Sequence, residues 1–280
     1  MRLGFIGVGK WSQKLATAFR ACGAEIVAYD RKQGPRGGYG GVDVLLHPPE
    51  PAPGFGRYQP WRNQLADKSI DAIIAVAPPE VTTEVALACI ESGKPVLATK
   101  PLFRHPDSIK SVAYVDFWRL WSESHRRAHD LFTNDVSGQP LCIALYGSGP
   151  IRDFPGAFDY GTHVLAAMYD IAPDCTITSA KRVPCEQGEF FTVEAEQDGK
   201  KIIASFGNGA KGSSRCIGMP PFNLSFEEGT MIGDETKDDV LRRFAASFIL
   251  DVQEGHVNPH WMNLSRRATE EIRRIRETAT

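Results

Sequence analysis

Asp159 and His163 stand four residues apart in the run Asp159-Tyr160-Gly161-Thr162-His163. On a helix that spacing puts both side chains on one face, a turn apart. An imidazole titrating near neutrality can exchange a proton with an alcohol or ketone oxygen, and a carboxylate one turn away can orient it and hold its tautomer. The same spacing also suits an aspartate capping a helix start and a histidine packed in a core. Gly161 between them permits close approach of another backbone. The opposite end of the chain carries a different chemistry in Gly7-Val8-Gly9-Lys10-Trp11-Ser12. Two glycines two apart allow a sharp turn and bring backbone N–H groups up to a pyrophosphate, whose charge a helix N-terminus also attracts.

For that turn to work it must join a strand to a helix, and the flanking residues do so. Arg2 to Ile6 is an apolar run that reads as a buried strand, and Leu15, Ala16, Ala18 and Phe19 recur at helical spacing over Trp11 to Arg20. Ser12 replaces the third glycine of the strict pattern and is small enough for close helix–strand packing. A second apolar run, Glu25 to Tyr29, ends in Asp30, at the distance where an acidic residue holds the adenosine ribose. Asp30 accepts from a ribose 2′-hydroxyl and repels a 2′-phosphate, whereas Arg31 and Lys32 attract one, so NAD is expected ahead of NADP.

Further elements follow in alternation. Gly34 to Gly56 is loop-rich, with one short element at Val42 to Leu46. Ile70 to Ala77 is a continuous apolar strand, Glu80 to Ser92 a helix closed by Gly93, and Pro95 to Ala98 a short strand. This is the pattern of a doubly wound parallel Rossmann sheet, and the expected boundary of that domain is residues 1–113. Beyond it, 114–280 reads as an α+β domain built on a largely antiparallel sheet. Its elements are a strand-like run over Ile109 to Asp116, a polar helix over Ser122 to Phe132, a β segment over Pro140 to Tyr146 and a helix over Phe158 to Ile171. β runs follow at Phe190 to Glu194, Lys201 to Phe206 and Met231 to Ile232, and two helices, Asp238 to Glu254 and Trp261 to Thr278, close the chain.

The 280 residues suffice for a sizeable core; 42% are hydrophobic and 24% charged, with a net charge of -2. A near-neutral balance without a basic block offers no footprint for nucleic acid. No apolar stretch reaches membrane-span length, and the chain enters a strand at once without a signal peptide. The 6 cysteines are scattered with no C-x-x-C pair, which reads as reduced thiols in a cytoplasmic protein. The 7 histidines show no metal-ligand grouping, so no metal is expected.

Taken in order, Gly7-Val-Gly9-Lys10-Trp11, Ala75-Val-Ala77-Pro78-Pro79, Ala88 to Val96, Thr99-Lys100-Pro101-Leu102 and Asp159 to His163 resemble the glucose-fructose oxidoreductase, inositol dehydrogenase and MocA (Gfo/Idh/MocA) family. After about residue 175 the likeness is only to the general layout of that family's second domain. The resemblance implies cofactor contacts from Gly7, Gly9, Lys10, Trp11, Ser12, Asp30, Arg31, Ala77, Pro78 and Lys100. It implies that Lys100 stands beside the nicotinamide at the carboxyl end of a strand and stabilises oxygen as charge develops. It also implies that Asp159 and His163 handle the proton. Thr99 replaces the family's glutamate before the lysine, and Thr82 stands where the family often has histidine. Arg119 and Arg152 lie in segments similar to branches acting on nucleotide-linked or free sugars, where a guanidinium would face a polar or anionic substrate.

The expected activity is hydride transfer between NAD(P) and a secondary alcohol or ketone of a sugar, sugar nucleotide or cyclitol. The expected assembly is a homodimer or homotetramer through the second domain's sheet. The alternatives are a non-catalytic dinucleotide-binding protein and an NAD-dependent glycoside hydrolase.

Overall fold

The computed structural model describes residues 1–7, 9–30, 57–58, 60–135, 138–147, 156–185, 188–209, 214–219, 222–225 and 235–279. Arg31, Lys32, Val42 to Leu46, Arg152 and Met231 to Ile232 lie outside the described residues. The chain packs as two compact units, Met1–Asp116 with Leu241–Asn263, and Phe117–Val240 with Leu264–Thr280. The segment at 241–263, read from sequence as part of a second domain beginning at residue 114, thus packs with the first unit.

In the first unit, β1 (Arg2–Ile6), α1 (Lys10–Ala21), β2 (Glu25–Asp30), β3 (Arg57–Tyr58), α2 (Trp61–Ala66), β4 (Ala72–Ala75), α3 (Pro79–Ser92), β5 (Val96–Ala98) and β6 (Ala113–Val115) follow in order. The strands form one sheet in the order β3-β2-β1-β4-β5-β6, with every pairing parallel. Parallel strands covered on both faces carry continuous apolar runs, and every residue of β4, β5 and β6 is buried. The doubly wound Rossmann sheet expected from the sequence is therefore present.

The second unit holds a short 3-10 helix (Trp118–Trp121), α4 (Glu123–Thr133), β7 (Leu141–Gly147), α5 (Gly156–Ile171), β8 (Thr176–Val183), β9 (Phe190–Gln197), β10 (Lys200–Asn208), β11 (Ser214–Met219) and β12 (Phe222–Ser225). Its sheet runs β12-β11-β7-β10-β9-β8. All pairings are antiparallel except the central one, where β10 runs parallel to β7. A parallel pair requires a crossover. Here α5 lies in the connection from β7 and packs on both strands. Burial alternates strictly along β7, so one face of the sheet is covered and the other more open.

Two helices, α6 (Lys237–Glu254) and α7 (His260–Thr278), end the described chain. Within the first unit, α6 supplies Phe244 and Phe248 to an aromatic chain. Phe5 meets Phe19 edge-on at 6.4 Å, Phe19 meets Phe248 at 5.9 Å, and Tyr114 meets Phe248 at 5.3 Å and Trp261 at 5.5 Å. The Tyr114 hydroxyl donates to Asp251 Oδ2 at 2.7 Å and lies 3.0 Å from Ser247 Oγ, so β6 is tied to α6 by polar as well as apolar contacts.

Burial, with the Asp251 carboxylate adding to it, pushes the Tyr114 phenol from its ordinary 10.0 up to about 12. A raised folded-state value means that the protonated phenol stabilises the fold. That contribution is complete below pH 10.0 and is lost as pH climbs through about 12. Tyr114→Phe keeps the ring and removes the hydroxyl. It should cost roughly 1–3 kcal/mol in denaturant unfolding at neutral pH and flatten the alkaline fall in stability that the parent shows.

Candidate functional site

The carboxyl ends of β1, β4 and β5 share one edge of the first sheet, because all three strands run the same way. The order β3-β2-β1-β4-β5-β6 switches direction between β1 and β4, where ligands of open α/β sheets bind. Gly7 follows β1 with φ +88, and a Cβ there would fall 1.9 Å from the Val76 carbonyl oxygen. Any other residue would meet both a left-handed backbone and a collision with the chain leaving β4. Gly9 differs, since a Cβ there would meet no described atom within 4 Å. It caps α1 with no side-chain hydrogen bond, and the helix carries no acidic residue in its first turn.

The first bond along this turn runs from Gln13 N–H to Gly9 O at 3.2 Å, so the amides of Lys10, Trp11 and Ser12 precede the intrahelical ladder. A small backbone cradle with an open approach is what a pyrophosphate needs, and the residues fit that group. Within the cradle the side chains divide. Lys10 is exposed. The Trp11 indole Nε1 donates to Asp116 Oδ2 at 2.5 Å, and Asp116 is buried. Ser12 is wholly buried with its hydroxyl turned into the protein, where no described residue bonds it. Ser12 therefore offers an anion its amide, and its side chain serves packing.

At the end of β4 the Thr82 hydroxyl accepts from Ala77 N–H at 3.1 Å and donates to Ala77 O at 2.8 Å. Pro78 caps α3 and accepts from Thr82 N–H at 2.9 Å. Thr82 is thus a staple of the β4–α3 turn, and the Ala77 backbone groups are engaged within it. Thr99 does the same one strand over, with both its N–H (2.9 Å) and its hydroxyl (3.2 Å) on Ala75 O. Lys100 follows, half-buried, and joins Pro101 through a cis peptide bond. Asp30 closes β2 at the same edge, and its side chain falls outside what is described.

In the second unit Asp159 lies in the first turn of α5 and His163 one turn on. His163 is buried, with its ring 6.0 Å from that of Phe117 at 73°. The sequence suggested that Gly161 lets another backbone approach. What approaches is a side chain: a Cβ at Gly161 would stand 2.7 Å from the ring of Phe206 on β10 and 3.1 Å from Ile272 on α7. Arg119 is largely buried in the 3-10 helix, with its guanidinium 4.6 Å over the Trp118 ring. Three connections went unread in the sequence: Trp11 to Asp116, the Thr82 staple, and the buried His125 whose Nε2 lies 2.8 Å from Asp170 Oδ2. The first and third fall at no spacing that local pattern can reveal, since their partners come from distant parts of the chain, whereas Thr82 and Ala77 are five residues apart.

Residues 1–115 match the model of an oxidoreductase family with an NAD-binding Rossmann fold, Gfo/Idh/MocA. The match covers residues 1–115 of the 280. The resemblance read from the sequence holds over that stretch. The chain is 28% identical over 106 residues to inositol 2-dehydrogenase 1 of Mycolicibacterium vanbaalenii, a match covering 34% of this chain and 30% of that protein. Hence the chain spans about a third of the length of the curated relatives it matches. Among solved structures, the myo-inositol 2-dehydrogenase of Lactobacillus plantarum superposes with a TM-score of 0.74 at 14% identity, covering 100% of this chain and 97% of its own. The scyllo-inositol dehydrogenase of Lactobacillus casei, bound to NAD(H) and scyllo-inositol, superposes with a TM-score of 0.71 at 13% identity, covering 100% and 96%. At such identities the likeness is one of fold. Among the described residues no helix is long and apolar enough to cross a membrane.

The cradle generates a direct test. Gly9→Val puts a branched side chain into space the protein leaves clear, so dinucleotide binding measured by calorimetry should be abolished while the melting temperature stays at the parental value. Retained affinity in a variant that melts like the parent would remove the phosphate turn from the site.

Proposed function

We propose that the chain is an NAD(P)-dependent oxidoreductase, transferring a hydride between nicotinamide and a secondary alcohol or ketone of a polyol. What carries the proposal is the cradle itself: a turn that only glycine can make at Gly7 and a clear approach at Gly9, on a segment matching an NAD-binding family. The dinucleotide would supply the hydride acceptor or donor. Gly7, Gly9 and the first-turn amides of Lys10, Trp11 and Ser12 would hold its phosphates, with Ala77 and Pro78 lining the next strand end. Asp30 and Arg31 would choose between the cofactors, and NAD is the one favoured.

A ring nitrogen of His163 would take the proton from the reacting hydroxyl, with Asp159 orienting the imidazole from the preceding turn. The Lys100 ammonium would donate to the oxygen and stabilise its developing charge. Arg119 and Arg152 would face polar groups of the substrate. The relatives' names, inositol dehydrogenases in every case cited, favour a cyclitol within the wider class of sugars and sugar nucleotides. A homo-oligomer through the second unit's sheet is supported by half-buried Cys142, Ala144 and Tyr146 on the more open face of β7. The protein would work in the cytoplasm.

One observation favours a second reading. The Thr82 and Thr99 hydroxyls are both used on the backbone, so neither supplies the imidazole or carboxylate of the family pattern. A chain so altered could bind a dinucleotide without turning it over.

Two variants test the proposal. On a sugar or cyclitol that changes nicotinamide absorbance, His163→Asn should lower turnover by about two to four orders of magnitude while cofactor affinity is kept. Near-parental turnover would make α5 scaffold, and no turnover by the parent on any polyol would favour the second reading. Asp30→Ala should shift the ratio of NAD to NADP affinity towards NADP. Equal affinities for the two cofactors in the parent would show that Asp30 does not discriminate.

A further inference from the structure

Helix α5 is almost entirely enclosed. Of its 16 residues, all but Asp159, Tyr160 and Asp170 are buried. Asp170 is occupied by His125 at the far end of the helix. The open part of α5 is therefore its first turn, and Tyr160 stands there beside Asp159. Tyr160 precedes His163 by three residues, which makes the two neighbours on the helix surface.

The phenol end has a defined place. A Cβ on Gly147 would lie 3.3 Å from the Tyr160 hydroxyl and 3.8 Å from Cζ, so the ring tip rests against the last residue of β7. Gly147 pairs with Asn208 at the end of parallel β10, and its carbonyl accepts from Gly209 N–H at 2.9 Å. The hydroxyl thus sits where the carboxyl ends of the sheet's one parallel pair meet the start of the helix bearing His163. Among the described residues none hydrogen-bonds it. A half-buried phenol held by packing, its hydroxyl bonded by no described residue and next to the proposed acid–base pair, is placed to serve a ligand.

We infer that Tyr160 is a substrate-contacting residue of the proposed reaction, its hydroxyl bonding the polyol hydroxyl beside the carbon that is oxidised. The inference rests on the function proposed above and extends it to selectivity. Every ring carbon of an inositol bears a hydroxyl, so choosing one carbon requires holding its neighbour. A phenol donates and accepts at one atom, as an alcohol does, and so can hold a hydroxyl in either sense. His163 acts on the reacting oxygen and Tyr160 on the adjacent one.

Tyr160→Phe is the decisive variant, because the ring keeps its seat on Gly147 and only the hydroxyl goes. Parent and variant are compared on myo-inositol, scyllo-inositol and monodeoxy-inositols lacking one hydroxyl beside the reacting carbon, with melting temperature and NAD affinity measured alongside. The variant should lose about ten- to a hundredfold in kcat/KM on the full inositol, chiefly through KM, with melting and NAD affinity unchanged. The parent should lose a similar factor on one deoxy analogue, and the variant should lose little further on that analogue, because both changes remove the same bond. Parental kcat/KM in the variant, or an undiminished deoxy penalty, overturns the assignment of Tyr160 while leaving the proposed activity standing. An absence of turnover by the parent on every inositol and hexose overturns the proposed activity and this inference together.

Discussion

The first unit depends on how closely the chain leaving β1 passes the chain leaving β4. At Gly7 the separation leaves no room for a Cβ, which would lie 1.9 Å from the Val76 carbonyl oxygen. That approach sets where α1 begins, and with it the direction of the first-turn amides of Lys10, Trp11 and Ser12. Two other contacts secure the same edge. Ser12 is buried beneath the helix, and Trp11 is bonded to Asp116 just past β6, so the turn is gripped from inside and from the side.

The threonines at 82 and 99 both spend their hydroxyls on the backbone of a strand end. A histidine or a glutamate at these positions would carry a group able to reach beyond the strand ends. Threonine is shorter, and its hydroxyl turns back on the nearest backbone atoms, closing the β4–α3 turn at Ala77 and bridging β5 to β4 at Ala75. Lys100, half-buried, follows Thr99 at this edge.

Much of the architecture was legible because parallel strands covered on both faces must be apolar throughout, as β1, β4 and the run to Ala98 are. The helix carrying Asp159 and His163 was legible for a similar reason, being apolar over most of its length. Elements whose order is imposed from elsewhere were not. Thr176–Val183 pairs only with β9 at the sheet's edge, and its residues are mostly part-exposed, so no alternation marks it. Trp61–Ala66 is too short for helical periodicity to register. The parallel pairing of β7 with β10 was hidden because hairpin-length spacing among the later strands suggests antiparallel neighbours throughout. In the candidate site, the glycine turn and the Asp159–His163 spacing were readable as local patterns. Trp11 with Asp116 and His125 with Asp170 were not, since such pairs are made by tertiary packing alone. Gly161 was singled out for the right property and the wrong neighbour, because sequence signals a missing side chain without saying what fills its place.

The placement of residues 241–263 in the first unit bears on the order in which the protein can mature. Phe248 and Trp261 complete the aromatic chain that runs through Phe5, Phe19 and Tyr114, and Asp251 receives the Tyr114 hydroxyl. During synthesis the Rossmann strands leave the ribosome first, yet the residues that cover Phe19 and Tyr114 on this side emerge more than a hundred residues later. Until then the nascent sheet exposes an aromatic surface, and its final core must wait for the intervening unit to be translated. The first unit thus begins to emerge before the second, and its last residues follow most of the second.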